Sequence, residues 1–345
     1  MSHRLTTTWW LGGVVVAAFA AVLCALLIVV LRPLLARYAL ARPNARSSHA
    51  APTPQGGGIA VVAATIITAY TALHFSGGGA LPWPLPTVFA ATVFIALVGA
   101  TDDIRPIAAI PRLVLQVFAI ASVIYALPGE LRLVPWLPLW IERALLVIGG
   151  VWFVNVVNFM DGLDWMTAAE TIPITVTLAL IGGLGLLPAQ DLAVALALCG
   201  ATIGFAYFNR PVARLFLGDV GSLPIGLLLG WLLLSVASGG HLAAAVLMPL
   251  YYLADATITL LRRLVLGEPV WQAHRTHFYQ RATDRGFKVI EVVGRVFFIN
   301  VGLCALSVLT VMRPGRATEI AALIVGAILV AGLLFVFARG KVRGK

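Results

Sequence analysis

The sequence predicts an all-α, polytopic bundle of transmembrane helices, and three observations predict it. Of the 345 residues 61% are hydrophobic and only 11% are charged, too few for the polar shell of a soluble core this size. The apolar residues fall into consecutive stretches of about 20, the length that crosses a bilayer as a helix. Basic residues, finally, collect in alternate loops. Because the bilayer core offers no water to backbone N–H and C=O groups, the spans are expected to be helices.

The first apolar run, Trp9 to Leu31, is longer than a signal-peptide core and leads into an arginine-rich segment, so it reads as an uncleaved first span. Counting onward at about 20 residues per span gives about 11 helices. The last runs from about Glu319 to Ala338, and the proline-rich stretch from Pro82 to Trp140 blurs the boundaries within it. Cys24, Cys199 and Cys304 lie inside apolar stretches without paired spacing, which suggests neither a disulfide framework nor a zinc site. Nothing divides the chain, so residues 1–345 are expected to form a single integral membrane domain.

Orientation follows from Lys and Arg. Of the 24 basic residues, all but Arg4, Arg132, Arg143, Arg313 and Arg316 fall on one set of alternate loops or at the C-terminus. The positive-inside rule then puts the N-terminus outside and the C-terminus in the cytoplasm. The net charge of +10 is accounted for by this asymmetry and by attraction to anionic lipid or substrate, without a nucleic-acid partner. Carboxylates gather on the same side: only Glu130, Glu142, Asp191 and Glu319 of the 14 lie elsewhere. Acidic groups at span ends are costly unless paired, hydrated or metal-bound, so a cytoplasmic metal or polyanion site is expected.

Five cytoplasmic loops, near residues 42–58, 99–112, 155–168, 208–222 and 262–290, carry the chemistry. The first contains Arg42, Arg46 and His49, followed by Pro52-Thr-Pro-Gln-Gly-Gly-Gly58. Its glycine turn opens a helix whose amides suit an anion, although a plain interhelical turn fits equally well. In the second, Gly99-Ala-Thr-Asp102-Asp103 sets two carboxylates side by side near Arg105. They form either a solvated helix end or a pair compensated by Mg²⁺ or a shared proton. The third, Asn155-Val-Val-Asn158-Phe-Met-Asp161-Gly-Leu-Asp164, repeats polar groups every three residues, which on a continuing helix keeps them near one face. Such a face suits a hard cation or a nucleotide, and also a polar seam between helices. In the fourth, Phe216-Leu-Gly218-Asp219-Val-Gly221-Ser222 places a carboxylate between glycines, with Phe216 either core or a stacking platform. The fifth carries His274, Arg275 and His277 among further arginines. Two histidines make a poor zinc site, and the loop reads as a pyrophosphate clamp or a basic lid attracted to headgroups.

Taken together, these loops resemble the polyprenyl-phosphate N-acetylhexosamine-1-phosphate transferase superfamily. Its pattern runs P-T-P-x-x-G-G, G-x-x-D-D, N-x-x-N-x-x-D-G-L-D, F-x-G-D-x-G-S and a histidine-rich last loop, and all five appear here in order from about Asn44 to Arg281. The first loop looks most like the subgroup that initiates O-antigen, lipopolysaccharide or related surface glycans. This resemblance implies a multi-pass enzyme of the bacterial inner membrane, its active site facing the cytoplasm. It implies transfer of an N-acetylhexosamine-1-phosphate, or a 6-deoxy relative, from a UDP-sugar to undecaprenyl or another polyprenyl phosphate, releasing UMP. Mg²⁺ is the implied cofactor, with Mn²⁺ as substitute, and membrane lipids and a homodimer are implied partners.

Residue by residue, Asp102 and Asp103 resemble the pair credited with binding or deprotonating the lipid phosphate, with Asp161 beside them as a third catalytic candidate. Asp219 and Asn158 resemble the metal ligands; Gly162, Leu163, Asp164 and Phe216 the nucleotide pocket; His274, Arg275 and His277 the phosphate- or sugar-binding motif. Two departures stand out: His-Arg-Thr-His lacks the triple histidine of the muramoyl-pentapeptide enzymes, and Trp165 replaces the glycine common after Asp164. Both argue against a peptidoglycan-type transferase. An ion-coupled transporter built around Asp255 is the non-enzymatic rival; it fits poorly, because the carboxylates cluster at one face and no repeat is visible.

Overall fold

A computed structural model of the chain describes residues 7–41, 52–269 and 274–341. Arg42, Arg46 and His49 of the first loop lie outside the described residues. Among the described residues there are thirteen α-helices: α1 (Thr7–Tyr38), α2 (Gly58–Leu73), α3 (Leu85–Ile104), α4 (Ala109–Ala126), α5 (Leu139–Met160), α6 (Met166–Gly183), α7 (Ala189–Ala206), α8 (Asp219–Ser238), α9 (Leu242–Leu247), α10 (Leu250–Val265), α11 (Phe278–Asp284), α12 (Val289–Met312) and α13 (Arg316–Arg339). Ten of them, α1 to α8, α12 and α13, are long and apolar enough to cross a membrane. The protein is an all-α, polytopic membrane bundle. Its one sheet among the described residues is a two-residue pairing of β1 (Leu40–Ala41) with β2 (Thr53–Pro54), antiparallel, with Leu40 opposite Pro54.

α1 is longer than its apolar run. It continues beyond Leu31 through Pro33 to Tyr38, because leaving the apolar stretch does not by itself end a helix and Arg37 in the last turn complements the helix dipole. Its buried residues, Ala20, Cys24, Ile28 and Leu35, form one stripe, while Val14, Val22, Val29 and Val30 are exposed. That stripe packs on α7, where Gly200 and Gly204 bring the α7 backbone against the carbonyls of Ala17 and Ala21. Small residues at i and i+4 permit such close approach between membrane helices.

At the centre stands α8: in its apolar window 83% of the residues are buried, against 17% in that of α1. Its N-terminal end is where α2, α3 and α8 meet. Gly58 of α2 faces Gly221 of α8 so closely that a Cβ on Gly221 would lie 2.6 Å from the Gly58 Cα. Gly99 of α3 abuts the Asp219 carbonyl in the same way. The motif glycines of the first, second and fourth loops thus let three helix ends converge with backbone against backbone.

The first and fourth loops are stitched together by main-chain bonds. Phe216 N–H donates to the Pro54 carbonyl (2.8 Å), Gly57 N–H to Phe216 (2.9 Å) and Gly58 N–H to Leu217 (2.9 Å). The amides of the glycine turn, read above as an anion cradle or a turn, are therefore engaged within the protein, and the turn reading holds.

Overpacking a close contact costs about 1–3 kcal/mol. Gly221→Ala is expected to lower the melting temperature in detergent by several degrees, whereas Gly12→Ala, with nothing within 4 Å of the added carbon, leaves it unchanged.

Candidate active site

Asp103 lies in the last turn of α3 and uses both carboxylate oxygens. Oδ1 accepts from Asp219 N–H (2.9 Å) and from Gln55 Nε2, and Oδ2 accepts from Val220 N–H (3.1 Å). The first two amides of α8, which have no partner inside their own helix, are thereby satisfied by a side chain from another helix. No side chain of Gly218 exists to cap α8, and a Cβ there would meet Asp103 Oδ2 at 2.5 Å; its φ of +78° also suits glycine. Asp103 is thus tied into the frame of the site.

Its neighbour Asp102 accepts from Ile107 N–H (2.5 Å) and from Arg112 Nη1 (2.6 Å). The same Arg112 nitrogen stands 3.6 Å from Asp219 Oδ2. Asp219 Oδ1 accepts from Asn158 Nδ2 (2.8 Å), which also donates to Ser222 Oγ (2.9 Å). Asn158 and Asp219, 61 residues apart, are therefore direct partners, and the Asn158 amide oxygen takes no part in those bonds.

The third loop departs from the expected continuous helical face. α5 ends at Met160, and the chain turns at Asp161 (φ −81°, ψ 47°), so only Asn155 and Asn158 share a helical face. Trp165 then takes a left-handed conformation (φ 65°), held by its N–H donating to Asn209 Oδ1 (2.8 Å) and its indole N–H to the Ala206 carbonyl (2.6 Å). Asp164 is buried beside it and accepts from Ala213 N–H (3.0 Å), joining the third loop to the fourth. Asp161 accepts from Thr167 Oγ1. Burial, and then the charges of Asp219, Asp103 and Asp164, push its carboxyl up to about 8.

A cleft of about 840 Å³ opens beside these groups. Its lining combines the polar side chains of Arg112, Asn158, Asp219, His274 and His277 with the apolar ones of Leu113, Ile148, Trp152, Leu261 and Leu264. Gly162, Leu163, Asp164 and Phe216, the expected nucleotide pocket, are not among its lining residues. Gly162 has a packing reason of its own, since Tyr279 Oη occupies the space its Cβ would take. Of the last-loop motif, His274 and His277 line the cleft and stack with ring centroids 5.0 Å apart. Arg275 does not join them: its guanidinium is held by Asp284 (3.2 Å) and Thr283 (3.2 Å).

Against known proteins, the model for glycosyl transferase family 4 matches residues 85–237. The probable undecaprenyl-phosphate N-acetylglucosaminyl 1-phosphate transferase of Bacillus subtilis (strain 168) is 24% identical over 295 residues, covering 79% of this chain and 80% of that protein. The decaprenyl-phosphate N-acetylglucosaminephosphotransferase of Mycobacterium tuberculosis (strain ATCC 25618 / H37Rv) is 28% identical over 334 residues, 86% of this chain and 81% of that protein. Over residues 85–237 the chain is thus similar to glycosyl transferase family 4, and over most of its length it is similar to polyprenyl-phosphate N-acetylglucosamine phosphotransferases. A member of another type, the phospho-N-acetylmuramoyl-pentapeptide-transferase of Heliobacterium modesticaldum (strain ATCC 51547 / Ice1), is 36% identical over only 123 residues, 33% of this chain and 37% of that protein.

The resemblance implies a divalent ion as cofactor, and oxygen donors suit Mg²⁺. Among the described residues no three His, Cys, Asp or Glu side chains converge as a self-sufficient metal site. Mg²⁺ is usually held by one or two carboxylates, with water and substrate phosphate completing its octahedron. Asp219, supported by the Asn158 amide and crowded by Asp102 and Asp103, offers such a partial set with oxygen donors only.

Sequence reasoning gave no part in the site to three contributors: Gln55 on Asp103, Arg112 between Asp102 and Asp219, and Asp255 beneath the last loop, which it weighed only as the ion-binding group of a transporter. Arg112 carried a signal, lying ten residues after Asp102 at the start of the next helix. Gln55 and Asp255 act through contacts between distant segments, for which the motif spacing offers no clue.

Between about pH 4, where an unfolded Asp titrates, and about 8, the folded protein binds a proton at Asp161 that the unfolded chain releases. Stability is therefore greatest at the acid end and declines as pH rises through about 8. In EDTA the melting temperature is expected to fall from about pH 5 to about pH 9, and Asp161→Asn to flatten that slope.

Proposed function

We propose that this protein transfers an N-acetylhexosamine-1-phosphate, or a 6-deoxy relative, from a UDP-sugar to undecaprenyl or another polyprenyl phosphate, releasing UMP and initiating a surface glycan. The observation that carries this reading is the mixed lining of the cleft, which sets Asp219, Asn158 and Arg112 together with aliphatic and indole side chains. A phosphate monoester on an isoprenoid chain combines the same two kinds of chemistry. The names of the similar Bacillus and Mycobacterium proteins make UDP-N-acetylglucosamine the first donor to try.

In this reading the lipid phosphate oxygen attacks the sugar-linked phosphorus of the donor. The bond from that phosphorus to the bridging oxygen breaks, and UMP departs with the electron pair. Arg112, already at the carboxylate cluster, draws in and orients a phosphate by charge-assisted hydrogen bonds. Asn158 and Asp219 would hold Mg²⁺, which when bound supplies charge neutralisation of the diphosphate. Asp102 holds Arg112, and Asp103 holds the start of α8 on which Asp219 sits. A phosphate monoester is itself nucleophilic, which favours direct in-line attack over an aspartyl-phosphate intermediate.

Residues 1–345 would form one catalytic domain with eleven crossings, the eleventh made by α9 and α10, joined through Met248 and Pro249. An odd number agrees with an N-terminus outside, a C-terminus in the cytoplasm, and an active site at the cytoplasmic face of a bacterial inner membrane. The His-Arg-Thr-His motif speaks for the glycan-initiating type over the peptidoglycan type, as does the wider similarity to N-acetylglucosamine phosphotransferases, over 79% and 86% of this chain against 33% and 50% for two pentapeptide-transferases.

With purified protein, a short-chain polyprenyl phosphate and a panel of UDP-N-acetylhexosamines, UMP release is expected to require both the lipid and Mg²⁺. Asp219→Ala is expected to lower kcat by about 10²-fold or more, and Arg112→Ala to lower kcat/KM for the lipid by about 10-fold or more. Release that persists in EDTA and in Asp219→Ala overturns the assignment.

A further inference from the structure

Asp255 sits in the middle of α10, fully buried, and does not line the cleft. Its two oxygens take five donors. Oδ1 accepts from Phe278 N–H (3.0 Å), His277 Nδ1 (3.3 Å) and Thr259 Oγ1 (3.4 Å); Oδ2 accepts from Tyr279 N–H (3.1 Å) and Tyr251 Oη (3.1 Å). Three of the five come from the last loop. The amides of Phe278 and Tyr279 open α11, and His277, which precedes them, makes no capping bond with its own side chain. A carboxylate buried in α10 therefore does the work of an N-cap for α11.

The same carboxylate fixes the imidazole. Oxygens engaged by this many donors can only accept, so Nδ1 of His277 carries the proton and Nε2 is the nitrogen left for the cleft that His277 lines. The ring is further held between His274 (5.0 Å between centroids) and Tyr279 (5.8 Å), and Tyr279 Oη donates to the Phe159 carbonyl (2.9 Å) at the end of α5. One buried acid thus connects α10, the last loop and the segment leading to Asp161. A plain helix cap needs only the two amides; the bond to a cleft-lining imidazole is additional.

We infer that Asp255 is a positioning residue for the transferase reaction: it holds His277 in the Nδ1–H tautomer with Nε2 presented to the donor's phosphates or sugar. This rests on the function proposed above. The test compares His277→Asn, whose amide nitrogen replaces Nδ1, with His277→Gln, whose amide reaches the place of Nε2 but leaves Asp255 unmatched. Asp255→Asn and the Asp255→Asn/His277→Gln double variant complete the set. For each, kcat and KM for the UDP-sugar are measured, together with the rate of trypsin cleavage after Arg275 and Arg281 in folded, detergent-solubilised protein.

Both His277 variants are expected to lose at least tenfold in kcat. Asp255→Asn is expected to lose as much, mostly in kcat with little change in KM, and to be cut faster by trypsin than wild type. The double variant is expected to be no worse than the poorer single one. Near wild-type turnover by His277→Gln overturns the inference even if Asp255→Asn fails to fold; so do losses that multiply in the double variant. Should the wild type show no turnover with any donor, the transferase reading is what has failed. Trypsin then decides the positioning role by itself, and equal cleavage of wild type and Asp255→Asn overturns it.

Discussion

Two amides at the start of α8 donate to the carboxylate of Asp103, and the arrangement of the site depends on those bonds. They fix the end of α3 against the start of α8, so Asp102 comes to rest beside Asp219 although 117 residues separate them in the chain. A charged hydrogen bond of this kind contributes about 1.5–3 kcal/mol, and breaking it inside the bundle leaves a buried group unpaired. The glycines at 58, 99 and 221 serve the same junction, since any side chain there would keep the helices apart. Arg112 and Asn158 then converge on a position already determined by the backbone.

Much of this was legible in the sequence, and the part that was not has a common cause. Hydropathy is a local property, and it marks the apolar helices well, including the run beginning near Trp9. Motif order likewise points to Asp102, Asn158, Asp219 and the His274 to His277 segment, which do gather at one end of the bundle. What a motif does not state is which atoms its residues use on each other. Asp103 looks like a twin of Asp102, yet it caps a helix while its neighbour holds an arginine. Gly162 looks like a ligand-facing glycine and is the floor beneath Tyr279.

The third loop gives the sharpest contrast between period and path. Its three-residue spacing is compatible with one helical face, but Asp161 leaves the helix and Trp165 reverses the chain in a left-handed conformation. That conformation is unusual for a large side chain, and it persists because the main-chain and indole N–H groups of Trp165 are both anchored. The residue that departs from the family pattern in sequence is thus the one that carries an uncommon backbone geometry, stabilised by Asn209 and the Ala206 carbonyl.

The apolar part of the cleft lining, Leu113, Ile148, Trp152, Leu261 and Leu264, changes what concentration means for the proposed lipid substrate. Such a molecule dissolves in the bilayer before it binds, so the quantity governing occupancy is its mole fraction among the surrounding lipids, not the amount per litre of buffer. Diluting the membrane with more phospholipid or detergent at constant total substrate lowers saturation without altering any contact in the cleft. Apparent affinities measured in micelles and in vesicles then differ by the ratio of their hydrophobic volumes, and the comparison becomes meaningful only after conversion to a surface density.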